Sequence, residues 1–248
     1  MKQATALDKE SGKSVKRTRL PDWDSAELAI ALSRATRLGG CSEEADAIVH
    51  VALQQYPRHV GLLVERARGA CLAGERDEAH RWYALAWDVG SPEQMWVVDW
   101  LELMMALGHH DIALGVAEAH CRRAPDYAEG WFWNGYARQE SGKLEQALDA
   151  YRRCARSLPR RPMLRNNMAA AYLCLGEYAL AQALLEEAIG EEPANALVWT
   201  NLAAARLKQG DVEQALTAVE RALELDPDYP LAQQAHSSVL ARKEFNHA

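Results

Sequence analysis

The chain has no long apolar run. Nothing in it approaches the roughly 18 consecutive apolar residues that span a bilayer, and its start, MKQATALDKESGKSVKRTR, lacks the apolar core of a secretory leader. Asp8 and Glu10 in that stretch also argue against a mitochondrial presequence. The expectation is a soluble cytoplasmic protein. Paired cysteines are lacking too: Cys41, Cys71, Cys121, Cys154 and Cys174 are odd in number, far apart and never spaced C-x-x-C. That excludes a disulfide framework and a zinc ribbon, and it points to reduced thiols in helices, with Cys154 and Cys174 as small core residues. Glycines never cluster as G-x-G-x-x-G or G-x-x-x-x-G-K-[ST], so no nucleotide site is implied, and no serine has the context of a nucleophile elbow. His109, His110 and Asp111 invite a metal reading, but no second histidine pair stands at ligand spacing. A solvated turn explains the three better. The expected protein is therefore not an enzyme and needs no cofactor or metal.

Charge is unevenly spread. The formal net charge is −7, yet residues 1–20 carry +4 through Lys2, Lys9, Lys13, Lys16, Arg17 and Arg19 against two acids, which leaves −11 for the rest. An acidic body without a concentrated basic face does not suit a nucleic-acid partner. With 49% apolar and 25% charged residues, the 248-residue chain can bury a sizeable core.

What the sequence does have is a period. Glycine recurs at 40, 74, 108, 142, 176 and 210, a spacing of 34 each time, which chance would produce roughly once in a million trials. Alanine follows at 45, 79, 113, 147, 181 and 215, and proline at 57, 125, 159, 193 and 227. The second unit breaks the proline register, with Ser91 in the place and Pro92 one residue late. The clearest unit, AEGWFWNGYARQESGKLEQALDAYRRCARSLPRR, carries Trp131, Gly135, Ala147, Tyr151 and Pro159. In these residues the chain resembles the tetratricopeptide-repeat family, and the resemblance implies an all-α, right-handed α-solenoid of helix-turn-helix repeats.

Six units tile residues 26–59, 60–93, 94–127, 128–161, 162–195 and 196–229, followed by a capping helix over 230–243. The single solenoid is expected over 24–243, with a basic tail at 1–23 and a short tail at 244–248. Within each unit a first helix covers about positions 1–14 and a second about positions 17–30. The periodic glycine takes the left-handed conformation that ends the first helix, alanine lets the two helices approach, and proline stops the second. Asp24 with Glu27 fits a capping box for the first helix, with Trp23 stapling onto Leu28. Gln233, Gln234, Ser237 and Ser238 give the last helix a wettable outer face, as a solenoid end requires. The third unit looks irregular: Leu101 and Leu103 stand where small residues dominate, and Ala117 stands where Tyr83 and Tyr151 do, a volume-compensating exchange. Trp96, Trp100 and Trp131 read as core, and His120 as a hydrogen-bonded core histidine.

The resemblance also implies that first-helix positions 2, 5, 6, 9, 12 and 13 line a concave groove. The expected partner-binding residues on it are Arg34 and Arg68 at a basic end, and Asp99, Glu102, Phe132, Trp133 and Tyr136 in an aromatic, methionine-rich centre. Asn166, Asn167 and Asn201 form an amide-rich end. Asn167 and Asn201 share position 6 and resemble an asparagine ladder that can hold a peptide backbone, since an amide both donates and accepts. Ile30 and Arg34 stand where the chaperone-tail clamp of the family has Lys and Asn, which disfavours that mode. The expected function is a non-catalytic scaffold or adaptor for protein–protein interaction that binds an extended peptide or a helix of another protein in the groove. Alternatives are a self-associating structural scaffold, or the recognition subunit of a bacterial secretion, pilus or polysaccharide apparatus.

Overall fold

The structure is a computed structural model that describes residues 25–90, 95–161 and 163–247. The expected basic tail, Trp23 and Asp24 lie outside the described residues. Among those described there are thirteen α-helices and no strand. The described residues fall into two compact units, those up to 90 and those from 95 onward.

The N-terminal unit holds α1 (Ala26–Leu38), α2 (Ser42–Gln55), α3 (Val60–Leu72) and α4 (Arg76–Val89). The Ser25 side chain caps α1, its Oγ accepting from the Leu28 amide at 3.1 Å. The capping side chain among the described residues is thus Ser25, one residue beyond the expected Asp24. The C-terminal unit holds α5 (Val97–Ala106), α6 (His110–Arg123), α7 (Ala128–Glu140), α8 (Leu144–Ser157), α9 (Leu164–Leu175), α10 (Tyr178–Glu191), α11 (Ala196–Gln209), α12 (Val212–Leu225) and α13 (Pro230–His247). The terminal helix runs four residues beyond the expected end at 243. In both units a first helix packs on its own second helix and on the first helix of the next repeat, the arrangement of an α-solenoid.

The repeat residues act as their chemistry dictates. Gly40, Gly74, Gly108, Gly142, Gly176 and Gly210 all have φ between 72° and 92°, where a side chain would cost about 1–2 kcal/mol. The periodic alanines at 45, 79, 113, 147, 181 and 215 are all fully buried at the helix–helix contact. Four residues on, Tyr83 and Tyr151 fill the same place in their repeats, and a Cβ on Gly135 would lie 2.6 Å from the Tyr151 ring. The third repeat inverts the volumes: Leu101 is buried opposite the small Ala117, itself fully buried. Its first helix, α5, has only ten residues, whereas all six second helices have fourteen, so the irregularity sits in α5.

The C-terminal unit carries a feature that the N-terminal unit does not. At position 4 of successive repeats, Trp131, Arg165, Trp199 and Gln233 each donate a side-chain N–H to the carbonyl of the proline six residues earlier. The acceptors are Pro125, Pro159, Pro193 and Pro227, at 2.7, 2.6, 2.9 and 2.8 Å. The periodic proline ends one helix and leaves a carbonyl that the next repeat satisfies. Trp131, expected in the core, is half-buried at this seam, with the Arg153 guanidinium 4.4 Å above its ring. Trp96 and Trp100 are buried as expected, their rings stacked at 6.5 Å.

Candidate functional site

In the N-terminal unit Arg34 and Arg68, expected at a basic groove end, are engaged together with Arg37 by an internal acid. Glu65, on α3, is 1% exposed. It takes Arg34 at 2.7 Å, Arg68 at 3.0 Å and Arg37 at 3.3 Å. Arg37 also reaches Asp46 of α2 at 2.7 Å, with Arg66 at 3.9 Å from the same carboxylate. A buried carboxylate is tolerable only when opposite charges and donors surround it, and four guanidiniums around two carboxylates do so with positive charge to spare. Gly69 makes the arrangement possible: a Cβ there would collide with Asp46 Oδ1 and come within 3.0 Å of Arg37 Nη2. The other repeats mostly have alanine at that position, so a lone glycine facing an acid was the sequence sign of the network. Arg34 and Arg68 keep exposed outer edges at 54% and 38%.

In the C-terminal unit the expected site residues separate into two sets. Phe132 is a core residue, 3% exposed, with its ring 5.8 Å from Tyr151 and the Arg161 guanidinium 3.2 Å above it. Its expected place on an open groove is corrected accordingly. Arg161, also paired with Glu129 at 3.2 Å, is a contact that no helix-face pattern could reveal, because it lies in the connection after α8. Trp133 and Tyr136 are half-buried, rings 5.9 Å apart, and the Trp133 indole N–H has no hydrogen-bond partner among the described residues. Burial, then the neighbouring Glu140 charge, raises the Tyr136 hydroxyl above its usual pKa. Tyr136 is therefore a neutral donor.

The amides join a hydrogen-bonded chain across two repeats. Asn201 Nδ2 donates to Asn166 Oδ1 at 2.8 Å, and Asn166 Nδ2 donates to Asn167 Oδ1 at 3.3 Å. Asn167 is close enough to the buried Tyr151 hydroxyl to oppose the rise in its pKa that burial causes, and that hydroxyl donates to Gln139 Oε1 at 3.1 Å. Asn166 is 3% exposed and orients the chain from below, whereas Asn167 and Asn201 are half-exposed. Asn166 is therefore corrected from a contact residue to a supporting one. In these three repeats position 5 leans into the helix seam, as Phe132, Asn166 and Thr200 all show, and position 6 is the more exposed, whereas in the second repeat position 6 is the buried Glu65.

The remaining expected residues are peripheral. Asp99 is half-buried and Glu102 exposed on α5, while Met105 is buried and Met95 exposed, so the methionine-rich centre is half core. Burial holds the His120 imidazole down to about pKa 4, helped by Arg123, and its ring meets Tyr127 edge-on at 5.6 Å. Gly130 makes room for it, since a Cβ there would lie 2.7 Å from the ring. Cys121 and Cys154 are buried and burial pushes their thiols up to about 12 and about 11, so neither is a nucleophile. Cys174, expected in the core, is exposed. No group of three metal-ligating side chains occurs among the described residues, and no helix there is long and apolar enough to cross a membrane.

Two family models, both described as Tetratricopeptide repeat, match residues 102–162 and 173–239, together more than half of the chain. The chain is 29% identical over 128 residues to the tetratricopeptide repeat-containing protein trd-1 of Caenorhabditis elegans, a match over 49% of this chain and 17% of that protein. Among solved structures, PilW, a type IV pilus biogenesis factor, superimposes with a TM-score of 0.71 at 14% identity, over 84% of this chain and 96% of that one. YrrB, described as a TPR protein with an unusual peptide-binding site, gives 0.52 at 15% identity, over 86% and 92%. The two structural likenesses concern the fold alone.

Proposed function

Because the chain belongs to the tetratricopeptide-repeat family, we propose that it is a non-catalytic adaptor whose C-terminal unit binds an extended segment of another protein. Repeats of this family generally mediate protein–protein interaction; the particular surface is our reading. The observation that carries it is the pairing, on successive first helices, of half-buried Trp133 and Tyr136 with half-exposed Asn167 and Asn201. An extended peptide offers amide groups at regular intervals, and the Asn167–Asn166–Asn201 chain fixes which way the outer amides face before any ligand arrives. Trp133 and Tyr136 supply aromatic area at the surface, of the kind found at binding hot spots. That YrrB, a fold relative, has a peptide-binding site is consistent with this use of the fold. A cytoplasmic setting fits the reading.

The test is selection of linear peptides from a random library on the full-length protein, followed by affinity measurement on Trp133→Ala/Asn201→Ala with folding checked by circular dichroism. Loss of a hot-spot aromatic should weaken the selected peptides at least about thirtyfold. Equal affinity for the folded double variant would sink this surface.

A further inference from the structure

The outward faces of the second helices in the C-terminal unit carry charge of opposite sign in its two halves. At repeat positions 25, 26 and 29 the fourth repeat has Arg152, Arg153 and Arg156 on α8, all exposed. The same register on α10 and α12 has Glu186, Glu187, Glu220 and Glu224, also exposed, with Gly190 and Arg221 as the exceptions. The basic half continues through Arg122 and Arg123 at the end of α6 and Arg160 after α8, while Glu118, at position 25 on α6, is paired with Arg138. The acidic half continues through Glu191, Asp226 and Asp228.

Local helix electrostatics accounts for only one of these halves. Cations near a helix C-terminus complement its macrodipole, so Arg122, Arg123 and Arg156 in the last turns of α6 and α8 stabilise their own helices. Acids there do the opposite. Glu191 and Glu224 lie in the last turns of α10 and α12, where no basic residue offsets them within the turn, at a cost of about 0.3–1 kcal/mol each. Arg165 pairs with Glu187 and Glu191, Arg206 with Glu186 and Arg221 with Glu224, but Glu220, Asp226 and Asp228 have no ion pair among the described residues. The acidic half is therefore a surface held at some expense to its own helices.

The two halves complement each other, and an isologous contact brings like surfaces together so that each half meets the other half of the second copy. We propose that a second copy of this chain docks on this outward face about a two-fold axis between α8 and α10, the arginine half of each against the glutamate half of the other. A polyanion such as a nucleic acid would engage only the arginine half and would be repelled by the acidic one. This surface is separate from the peptide surface around Trp133, so either proposal can fail alone.

The experiment is sedimentation velocity on the full chain at low and high salt. Charge-driven pairing predicts a dimer whose dissociation constant rises at least about tenfold between ~0.05 and ~0.5 M salt, as the screening length shortens. Arg122→Glu/Arg156→Glu takes most of the positive charge from one half, and Glu220→Arg/Asp228→Arg takes most of the negative charge from the other. Each variant alone should be monomeric, and an equimolar mixture should form a heterodimer. Restored association in the mixture cannot come from a folding defect. A wild-type monomer at low salt, or two monomeric variants that ignore each other, would overturn the proposal; so would nucleic-acid binding without self-association.

Discussion

The two units hold their first helices together with different chemistry. In the N-terminal unit the contact is ionic: a buried carboxylate, Glu65, gathers Arg34, Arg37 and Arg68, and Asp46 adds a second anchor to Arg37. In the C-terminal unit the equivalent layer is neutral, a run of amides and a phenol from Gln139 through Tyr151 to Asn201, and each repeat seam is tied to the preceding proline carbonyl. An ionic layer is unforgiving of the loss of one sign, because an uncompensated charge remains buried. A neutral chain loses one hydrogen bond at a time. The difference teaches that equal repeat registers can hide unequal tolerance to change, salt and pH.

The largest effect that would break the comparison is expected from Arg34→Ala/Arg37→Ala. It strips Glu65 of two of its three guanidiniums and should destabilise the N-terminal unit by about 3–5 kcal/mol. Hydrogen exchange resolved by segment checks this, with amides of α1 and α3 losing protection and those of α9 and α11 unchanged. The converse change, Glu65→Gln, should cost much less, since Arg34 and Arg68 already reach water.

The next effect is confined to the C-terminal unit and comes from His120. Burial keeps its folded pKa at about 4, below the ordinary 6.5, so between those values the unfolded chain binds more protons. Stability then falls as the pH drops through this window, by about 2 kcal/mol from pH 7 to pH 5, and levels off below about pH 4. Urea unfolding followed at several pH values measures it, and His120→Ala, which restores the residue found at this position in most other repeats, should flatten that slope.

A gain is expected from Asn134→Leu. Asn134 is 1% exposed and both polar atoms of its amide lack a partner among the described residues. Leucine stands at this repeat position in Leu32 and Leu202, so removing an unsatisfied buried amide should stabilise the unit by about 1–2 kcal/mol, seen as a raised urea midpoint. The smallest effect is that of Trp199→Phe, which keeps the ring but deletes the N–H bonded to Pro193 and should cost about 1 kcal/mol. No loss in this variant would show that the seam bonds do not distinguish the two units.

Much of the fold was legible in the sequence because the glycine, alanine and proline positions are fixed by backbone geometry, which a period records directly. Gly40 or Gly210 needs no neighbour to explain it. The site was legible less evenly. Repeat position placed Trp133, Asn167 and Asn201 on the outward side, but it could not tell that Phe132 and Asn166, one residue earlier, lean into the seam, because one residue is a rotation of about 100° on a helix. Nor could position show that Glu65 draws in Arg34 and Arg68, since long side chains from two helices meet there by rotamer choice. The side-chain latch at 131, 165, 199 and 233 was readable at the same 34-residue spacing, but its members, two Trp, an Arg and a Gln, share only a donor N–H and not a residue type.

That latch has a consequence for how such a chain grows. Its donor and its acceptor always lie on opposite sides of a seam, one in each of two neighbouring repeats. A gene duplication of a 34-residue stretch that begins at residue 98 or later copies one donor and one acceptor, and each finds its counterpart across the new joint. Gln233 shows the same bond linking the last full repeat to the terminal helix, so the end piece accepts whichever repeat precedes it. Lengthening or shortening the array by whole repeats then requires no compensating substitution at the junction, whereas a repeat taken from the N-terminal unit, with Leu63 in the donor place, would arrive with its joint unmade.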